Sequence, residues 1–266
     1  MKAPNFDFCQ PSSVDEVVAV LSDKNKFIKV LSGGQSLCPM MNFRLVRPEL
    51  IVDISRVKSL KLVDQVDGAI KIGSGVTHSR FEDGVVEGKT GAYLKEVASK
   101  IAYRAVRTRG TIGGSLVHAD PAADWPAALM ALGARIEITG PKSVRIVDIK
   151  EFLLAPFTTG LNEDELVVAI HVPMLSEKAR WSYVKTSRKP GEFAQAIAVL
   201  VVDEAQDIGN TVVGATHSCP VAMENVWDGE NTALVEPLLH GLDGYGSSIH
   251  LAALRKAASS LHDVTR

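Results

Sequence analysis

The sequence predicts an α+β protein, and three observations indicate this class. Short apolar strand patterns follow one another in several places, helical apolar spacing recurs between them and at the end of the chain, and no internal repeat or coiled-coil heptad is present in the sequence. The 266 residues are 46% hydrophobic and 23% charged, close to the average for globular proteins. This length is enough for one large domain or two ordinary ones.

The first part of the chain is predicted to fold as a small lobe. Ser13 and Glu16 have the spacing of a capping box, and an apolar pattern typical of a helix follows them. Apolar runs at 27–31 and 50–54 predict two strands, the first of which leads directly into a glycine-glycine turn.

The remaining elements are predicted in order toward the C-terminus. A hairpin is expected around Asp67-Gly68. Its two strands are expected at 60–63 and 70–72. After the hairpin we expect helices at 93–106 and 127–132 and strands at 135–139, 144–149 and 166–172. The polar segment 174–179 marks a domain boundary, and beyond it we expect strands at 181–186, 196–202 and 211–215 and an amphipathic helix at 247–262.

Two glycine-glycine turns are the most informative feature of the chain. They are Ser32-Gly33-Gly34-Gln35-Ser36 and Thr111-Ile112-Gly113-Gly114-Ser115. Glycine lets a ligand approach the main chain closely, and successive N–H groups can converge on an oxyanion. A turn without any ligand is the alternative for each one alone. Together they suggest two backbone cradles that grip one long anionic ligand, such as the pyrophosphate of a dinucleotide.

The residues after the second turn suit the same ligand. Alanines at 119, 122 and 123 leave room for a planar group or a ribose beside the backbone. Asp124 can accept hydrogen bonds from ribose hydroxyls, as acidic side chains do in other dinucleotide folds. A metal site built from His118, Asp120 and Asp124 is the alternative, although hard-metal sites usually need more carboxylates and zinc usually takes several His or Cys ligands.

Other familiar motifs do not fit. The segment Gly73-Ser74-Gly75-Val76-Thr77-His78 lacks the third glycine of the Rossmann fingerprint and follows a hairpin strand. The segment from Gly84 to Thr90 is one residue too short between its glycines for a P-loop. Neither a Gly-x-Ser-x-Gly elbow nor a His-Glu-x-x-His helix occurs in the sequence. Lys185 and Arg188 lie at a predicted strand end, where a solvated basic edge is the simpler interpretation.

Charge and cysteine usage exclude several classes of function. The net charge of −2 offers no reason to expect nucleic acid as a partner, and no apolar run approaches the roughly 18–20 residues that span a bilayer. The N-terminal residues have no apolar signal core, so we expect a cytoplasmic protein. Cys9, Cys38 and Cys219 are few and far apart, which argues against disulfides and against zinc or iron–sulfur ligation on this chain. A redox centre would therefore be organic or lie on another subunit.

These motifs, in this order, resemble one family over nearly the whole chain. The segment Leu31 to Leu37, then Thr111-Ile112-Gly113-Gly114-Ser115, then His118-Ala119-Asp120-Pro121, is similar to the flavoprotein (medium) subunit of molybdenum hydroxylases. This family includes carbon monoxide, nicotinate, xanthine and aldehyde dehydrogenases. The middle turn at Gly73 and the segment Lys185-Thr186-Ser187-Arg188-Lys189 match it as well.

The resemblance implies a fold and a set of cofactor contacts. The fold is a two-lobed FAD-binding domain of the vanillyl-alcohol oxidase and p-cresol methylhydroxylase type at residues 1–175, with lobes at about 1–55 and 56–175, followed by a smaller α+β domain at 176–266. The residues implied to bind the pyrophosphate are Ser32, Gly33, Gly34, Gln35, Ser36 and Leu37. Those implied to line the opposite side of the cofactor are Thr111, Gly114, Ser115, His118 and Asp124. Those implied to lie near the flavin ring are Val167 and Lys185. Many relatives have Asn where this chain has Ser115, so one direct hydrogen bond is expected to be weaker.

The implied function is electron transfer. A molybdopterin-binding large subunit would oxidise the substrate, a small subunit would relay electrons through [2Fe-2S] clusters, and FAD on this chain would deliver them to an external acceptor, in a heterotrimer or its dimer. No catalytic and no metal-ligating residue is expected on this chain. A self-contained flavin oxidoreductase and a non-catalytic small-ligand protein are the alternatives.

Overall fold

The computed structural model describes residues 2–263, and helices and strands are mixed along this range. The helices are α1 Val14–Leu21, α2 Leu37–Asn42, α3 His78–Glu82, α4 Gly88–Ser99, α5 Arg104–Arg107, α6 Ile112–His118, α7 Asp124–Ala131, α8 Ile149–Phe152 and α9 Gly244–Asp263. The strands are β1 Asp7–Cys9, β2 Ile28–Leu31, β3 Leu50–Asp53, β4 Val63–Val66, β5 Ala69–Gly73, β6 Arg135–Thr139, β7 Val144–Asp148, β8 Leu153–Ala155, β9 Thr158–Thr159, β10 Leu166–Pro173, β11 Arg180–Thr186, β12 Ala196–Asp203, β13 Ile208–Gly214 and β14 Val221–Met223. The α+β class is confirmed.

The N-terminal strands form a small parallel sheet in the order β1-β3-β2. The predicted capping box begins α1, since the Ser13 hydroxyl accepts a hydrogen bond from the Glu16 N–H at 3.2 Å. The Glu16 carboxylate accepts from the N–H of Ser12 rather than of Ser13, at 2.7 Å. Val17 and Val52 are fully buried between the helix and the sheet. The first glycine-glycine turn follows β2 and leads into α2.

The middle of the chain forms an antiparallel sheet in the order β4-β5-β10-β6-β7. Its inner face packs against α4, α6 and α7, which contribute Leu94, Leu116 and Leu129 to the main core. The second glycine-glycine turn is the start of α6, so this packing holds the turn rigidly against the sheet.

The last strands form an antiparallel sheet in the order β11-β12-β13-β14. Strand β12 is buried on both faces: Ile197 and Val199 face the main core, whereas Ala198 and Leu200 face a second core beneath α9. Burial on both faces explains why this strand reads as a continuous apolar run. Within residues 2–263, no helix combines the length and the apolar character needed to cross a membrane.

Two sequence predictions about local structure are wrong. The helix expected at 93–106 ends at Ser99, and a bend with Ala102 at φ +41° separates α4 from α5. The Arg107 guanidinium stabilises this bend by donating to the carbonyls of Ile101 and Ala102 at 2.7 and 2.8 Å. The first hairpin strand begins at Val63, because residues 58–61 form a short 3₁₀ turn instead.

Candidate functional site

The two glycine-glycine turns face each other across a shared crevice. The hydroxyl oxygens of Ser32 and Thr111 lie 2.8 Å apart. A Cβ added at Gly33 would lie 2.3 Å from the carbonyl oxygen of Arg109 and 2.7 Å from Cα of Gly110. Only a residue without a side chain permits this approach of backbone to backbone.

The first turn offers a row of free backbone donors. The N–H groups of Gly33, Gly34, Gln35, Ser36 and Leu37 make no hydrogen bond to any residue that the structure describes. Gly34 has φ +73°, which turns successive amides toward one side. Backbone amides are obligatory donors, and such a nest is an anion-binding concavity.

The second turn contributes in a different way from the first. Its amides are already bonded within the chain: Gly113 donates to the Ser74 carbonyl at 2.9 Å, and Gly114 donates to the Thr111 hydroxyl at 3.1 Å. The sequence suggested two backbone cradles, and the structure leaves free amides only in the first of them within the described residues. The first turn supplies donors, whereas the second supplies a rigid wall without large side chains.

The middle turn at residues 73–77, which resembles no complete nucleotide motif, is the support for this wall. The N–H of Ile112 donates to the carbonyl of Val76 at 3.1 Å, and the N–H of His78 donates to the carbonyl of Gly110 at 2.9 Å. The ring of His78 also lies against Gly110, where an added Cβ would approach its Nε2 to 2.7 Å. Its Nδ1 accepts a hydrogen bond from the indole N–H of Trp125 at 3.0 Å.

We expect this histidine to make stability depend on pH. Burial, with a smaller effect from Arg107, lowers the pKa of His78 from 6.5 to about 4. Because the folded pKa lies below the unfolded one, the stabilisation is complete above pH 6.5 and is lost as the pH falls toward 4, amounting to ~3 kcal/mol. Urea unfolding at several pH values measures it. In His78→Asn, whose amide oxygen can still accept from Trp125, this slope between pH 6.5 and 4 should flatten; an unchanged slope contradicts the assignment.

Asp124 and Lys185 meet inside the protein. The Lys185 ammonium lies 3.0 Å from the Asp124 carboxylate and donates to the Lys100 carbonyl at 3.1 Å. The hydroxyl of Tyr183 donates to the same carboxylate at 2.6 Å. Burial raises the pKa of Asp124, and the charge of Lys185 and these hydrogen bonds oppose that effect. In the structure the Asp124 side chain is 5% exposed and its carboxylate pairs with Lys185. The expected contact between Asp124 and the ribose stays a prediction.

Lys185 lines a cavity of about 410 Å³. The lining residues are Ser99, Lys100, Ala102, Tyr103, Arg104, Arg107, Lys185, Ser187, Pro190 and Gly191. The cavity and the crevice share the segment 104–111, since α5 lies on the cavity wall and the Arg109 carbonyl faces Gly33. The volume falls in the range of sites for drug-sized ligands, about 300–1,000 Å³.

The other predicted contacts lie at varying distance from the crevice. Ser115 is half-buried on the first turn of α6, next to Thr111 and Gly114. His118 is at the far end of that helix, roughly 10 Å along its axis from Thr111, with its ring 5.2 Å from the ring of Phe157. Val167 is 2% exposed and packs in the main core, so its side chain has almost no surface to offer a ligand.

Sequence reasoning missed several residues of the cavity wall. Tyr183 and Tyr103 gave no signal, because an isolated tyrosine in a strand or at a helix start has an ordinary structural explanation. Arg104 and Arg107 stand close together in the sequence before the second turn, but nothing local indicates their ion pairs with Glu82 and Asp83. Among the described residues, no three His, Cys, Asp or Glu side chains are grouped to hold a metal, and His118, Asp120 and Asp124 form no such group.

A donor nest, a facing glycine wall and an adjoining cavity together define a dinucleotide-binding protein. The family model for the FAD binding domain in molybdopterin dehydrogenase matches residues 4–175. The chain is 36% identical over 206 residues to 6-hydroxypseudooxynicotine dehydrogenase complex subunit alpha of Paenarthrobacter nicotinovorans, covering 77% of this chain and 70% of that one. It is 35% identical over 228 residues to the carbon monoxide dehydrogenase medium chain of Hydrogenophaga pseudoflava, covering 84% and 78%.

Solved structures agree with these relatives. A carbon monoxide dehydrogenase structure from Hydrogenophaga pseudoflava superposes with a TM-score of 0.87 at 26% identity, and quinoline 2-oxidoreductase from Pseudomonas putida 86 with 0.86 at 28%. In both, the match covers 99% of each chain. The chain therefore belongs to the family of FAD binding domains of molybdopterin dehydrogenases, as its motifs predicted. It is an oxidoreductase subunit of the medium-chain type, and its cofactor is FAD.

The residues of the crevice fit this cofactor. Five unpaired amides suit the two phosphates, since backbone N–H groups bind phosphate oxygens without the desolvation cost of a buried cation. A cavity of about 410 Å³ that continues from the same segment leaves room for a planar ring system.

Proposed function

We propose that this chain is the electron-transfer subunit of a heteromeric molybdenum hydroxylase. It takes electrons from [2Fe-2S] clusters on a small partner subunit, which a molybdopterin-binding large subunit reduces, and it passes them to an external acceptor. Relatives named as medium chains and as dehydrogenase complex subunits support this assembly. We further propose a cytoplasmic heterotrimer, with residues 1–175 as the FAD domain and 176–266 as the second domain.

The observation that carries the proposal is the row of unpaired amides from Gly33 to Leu37 opposite the Thr111 turn. These amides bind the pyrophosphate, and the backbone of Gly114 with the hydroxyls of Thr111 and Ser115 lines the other side. Bound FAD supplies the redox chemistry by exchanging electrons with its neighbours. The protein binds and orients the cofactor, and its segment 99–104 forms part of the cavity wall.

Two cations of the cavity wall, Lys185 and Arg107, are held in ion pairs. Lys185 is paired with Asp124, and Arg107 with Glu82, at 3.0 and 2.8 Å. Proton abstraction from a substrate needs a base that can reach it. This arrangement supports electron transfer over a self-contained flavin oxidoreductase.

Cysteine labelling tests where FAD binds. Cys38 is exposed, and its sulfur lies 3.0 Å from the position of a Cβ on Gly34 in the first turn. We expect FAD to slow alkylation of Cys38 at least fivefold in the purified chain, measured by mass spectrometry. Alkylation of Cys219, which lies between β13 and β14, should not be slowed. Flavin absorbance without protection of Cys38 would contradict the proposed site.

Partner dependence tests the proposed reaction. FAD on the purified chain should stay oxidised with candidate substrates and become reduced only when the molybdopterin and iron–sulfur subunits are added. Reduction by an organic substrate without those subunits would favour the self-contained enzyme. A chain that takes up no FAD would favour a non-catalytic binding protein.

A further inference from the structure

The buried charges beside the cavity lie at two helix ends of opposite polarity. Lys185 is near the C-terminus of α4, where it binds the carbonyl of the C-cap residue Lys100 at 3.1 Å. Asp124 is the first residue of α7, at the helix N-terminus. Helix C-termini stabilise cations and N-termini stabilise anions, so both helices favour the charged state of this pair.

Burial opposes the charged form of Asp124. Burial raises the pKa of Asp124, so the charged carboxylate is disfavoured in the folded protein relative to the unfolded chain. A buried ion pair is weak evidence for stability, and this one lies beside the cavity that Lys185 lines. The arrangement therefore requires another explanation.

The hydrogen bonds of Lys185 leave one donor free. An ammonium has three N–H groups. The ammonium donates to Oδ2 of Asp124 at 3.0 Å and to the Lys100 carbonyl at 3.1 Å, and it lies equally close, at 3.0 Å, to Oδ1 of Asp124. No third hydrogen bond from it to a described residue is formed. Lys185 lines the cavity although its side chain is only 6% exposed, so the remaining donor is available to a ligand there.

Tyr183 binds the same carboxylate from the same strand as Lys185. Its hydroxyl is fully buried and donates to Asp124 at 2.6 Å, and its ring packs under the Lys100 ammonium at 4.9 Å. With this donor in place, the carboxylate is satisfied and does not draw the Lys185 ammonium away from the cavity wall.

We propose that Asp124 and Tyr183 are positioning residues that hold the Lys185 ammonium on the cavity wall, with one N–H directed to a carbonyl oxygen of the bound flavin ring. This inference rests on the proposed function. A cation held there stabilises the reduced flavin, which carries more negative charge, over the oxidised one. Asp124 and Tyr183 thereby raise the preference of the site for reduced FAD.

The test compares the affinities of the purified full chain for oxidised and reduced FAD, measured anaerobically. Asp124→Asn should weaken binding of reduced FAD about tenfold more than binding of oxidised FAD, which lowers the two-electron potential by about 30 mV. Tyr183→Phe, which changes no charge, should shift the ratio about threefold in the same direction. Lys185→Met should shift it at least as far as Asp124→Asn, and adding Tyr183→Phe to Lys185→Met should shift it no further.

Tyr93→Phe is the matched control. Tyr93 is also buried, and its hydroxyl donates to the Ala128 carbonyl of α7 at 2.7 Å and not to Asp124. It should leave the ratio unchanged. A purely structural role would weaken oxidised and reduced FAD equally, so an unmoved ratio in Tyr183→Phe and Asp124→Asn overturns the inference. A raised preference for reduced FAD in Asp124→Asn also overturns it, since Asp124 would then only offset the lysine charge.

The failure of this inference differs from failure of the proposed function. If FAD binds and protects Cys38 but the ratio does not move, only the positioning role is lost. If the wild-type chain binds no FAD, both are lost. Should Asp124→Asn fail to fold, Tyr183→Phe decides the question alone.

Discussion

Gly33→Ala is expected to weaken FAD binding roughly a hundredfold, an overpacking effect within the usual 1–3 kcal/mol. The added Cβ would lie 2.3 Å from the Arg109 carbonyl oxygen and 2.9 Å from its carbon, so the two turns must separate. Backbone on the opposite side cannot rotate away as a side chain can. Fluorescence titration with FAD measures the affinity, and the melting temperature, which should fall only slightly, measures folding.

Substitutions at two other glycines are the controls for this prediction. Gly114→Ala places its Cβ 2.8 Å from the Thr111 hydroxyl, a side-chain atom that can move, so we expect only a severalfold loss. Gly209 lies on β13, and a Cβ added there would meet only Cγ2 of Val226, at an ordinary contact distance of 3.8 Å. Gly209→Ala should therefore change neither the FAD affinity nor the stability of the fold. If Gly33→Ala bound FAD as the wild-type chain does, the close approach of the two turns would have no role in the site.

Arg107→Met is expected to destabilise the fold by about 3–5 kcal/mol, because it removes the buried cation that joins Glu82 to two backbone carbonyls. The guanidinium donates to both Glu82 oxygens, at 2.8 and 2.9 Å, and to the carbonyls that form the bend around Ala102. Its hydrogen bonds are also the largest cause of the lowered pKa of Glu82. Since this bend is part of the cavity wall, FAD affinity should fall too. Urea unfolding and FAD titration measure the two effects.

Arg104→Met is the matched control for this prediction. Arg104 binds the neighbouring acids Glu82 and Asp83, but its side chain is 49% exposed, whereas that of Arg107 is 10% exposed. Exposed ion pairs contribute about 0–1 kcal/mol, so this variant should unfold almost as the wild type does. Equal losses in the two variants would show that the carbonyl contacts of Arg107 do not stabilise the bend.

Much of the fold could be predicted because its signals are local. Strand β6 was predicted with its observed bounds, and β7 and β10 to within one residue. The end predicted for α7 at residue 132 coincides with its C-cap, and Gly133 directly after it adopts φ +63°, which glycine permits. The break after Ser99 was missed because its cause, the Arg107 guanidinium, lies several residues further along and acts through the folded chain.

In the site, too, local features could be predicted and contacts between distant segments could not. The glycine turns were visible because few residues other than glycine suit a close backbone approach. Which amides stay free was not visible, because the amides of the second turn are bonded to Ser74 and Thr111 only after the middle turn packs beneath it. The placement of Asp124 was missed for a similar reason, since its partner Lys185 is 61 residues away in the chain.

By itself, the sequence determined where the chain turns, which strands are apolar and which family the motifs belong to. These properties depend on backbone sterics and side-chain periodicity within a few residues. The tertiary structure alone decided that Ser32 meets Thr111, that five amides remain unpaired and that Lys185 is held by Asp124 and Tyr183. Such contacts join distant segments, so they depend on how whole sheets and helices pack.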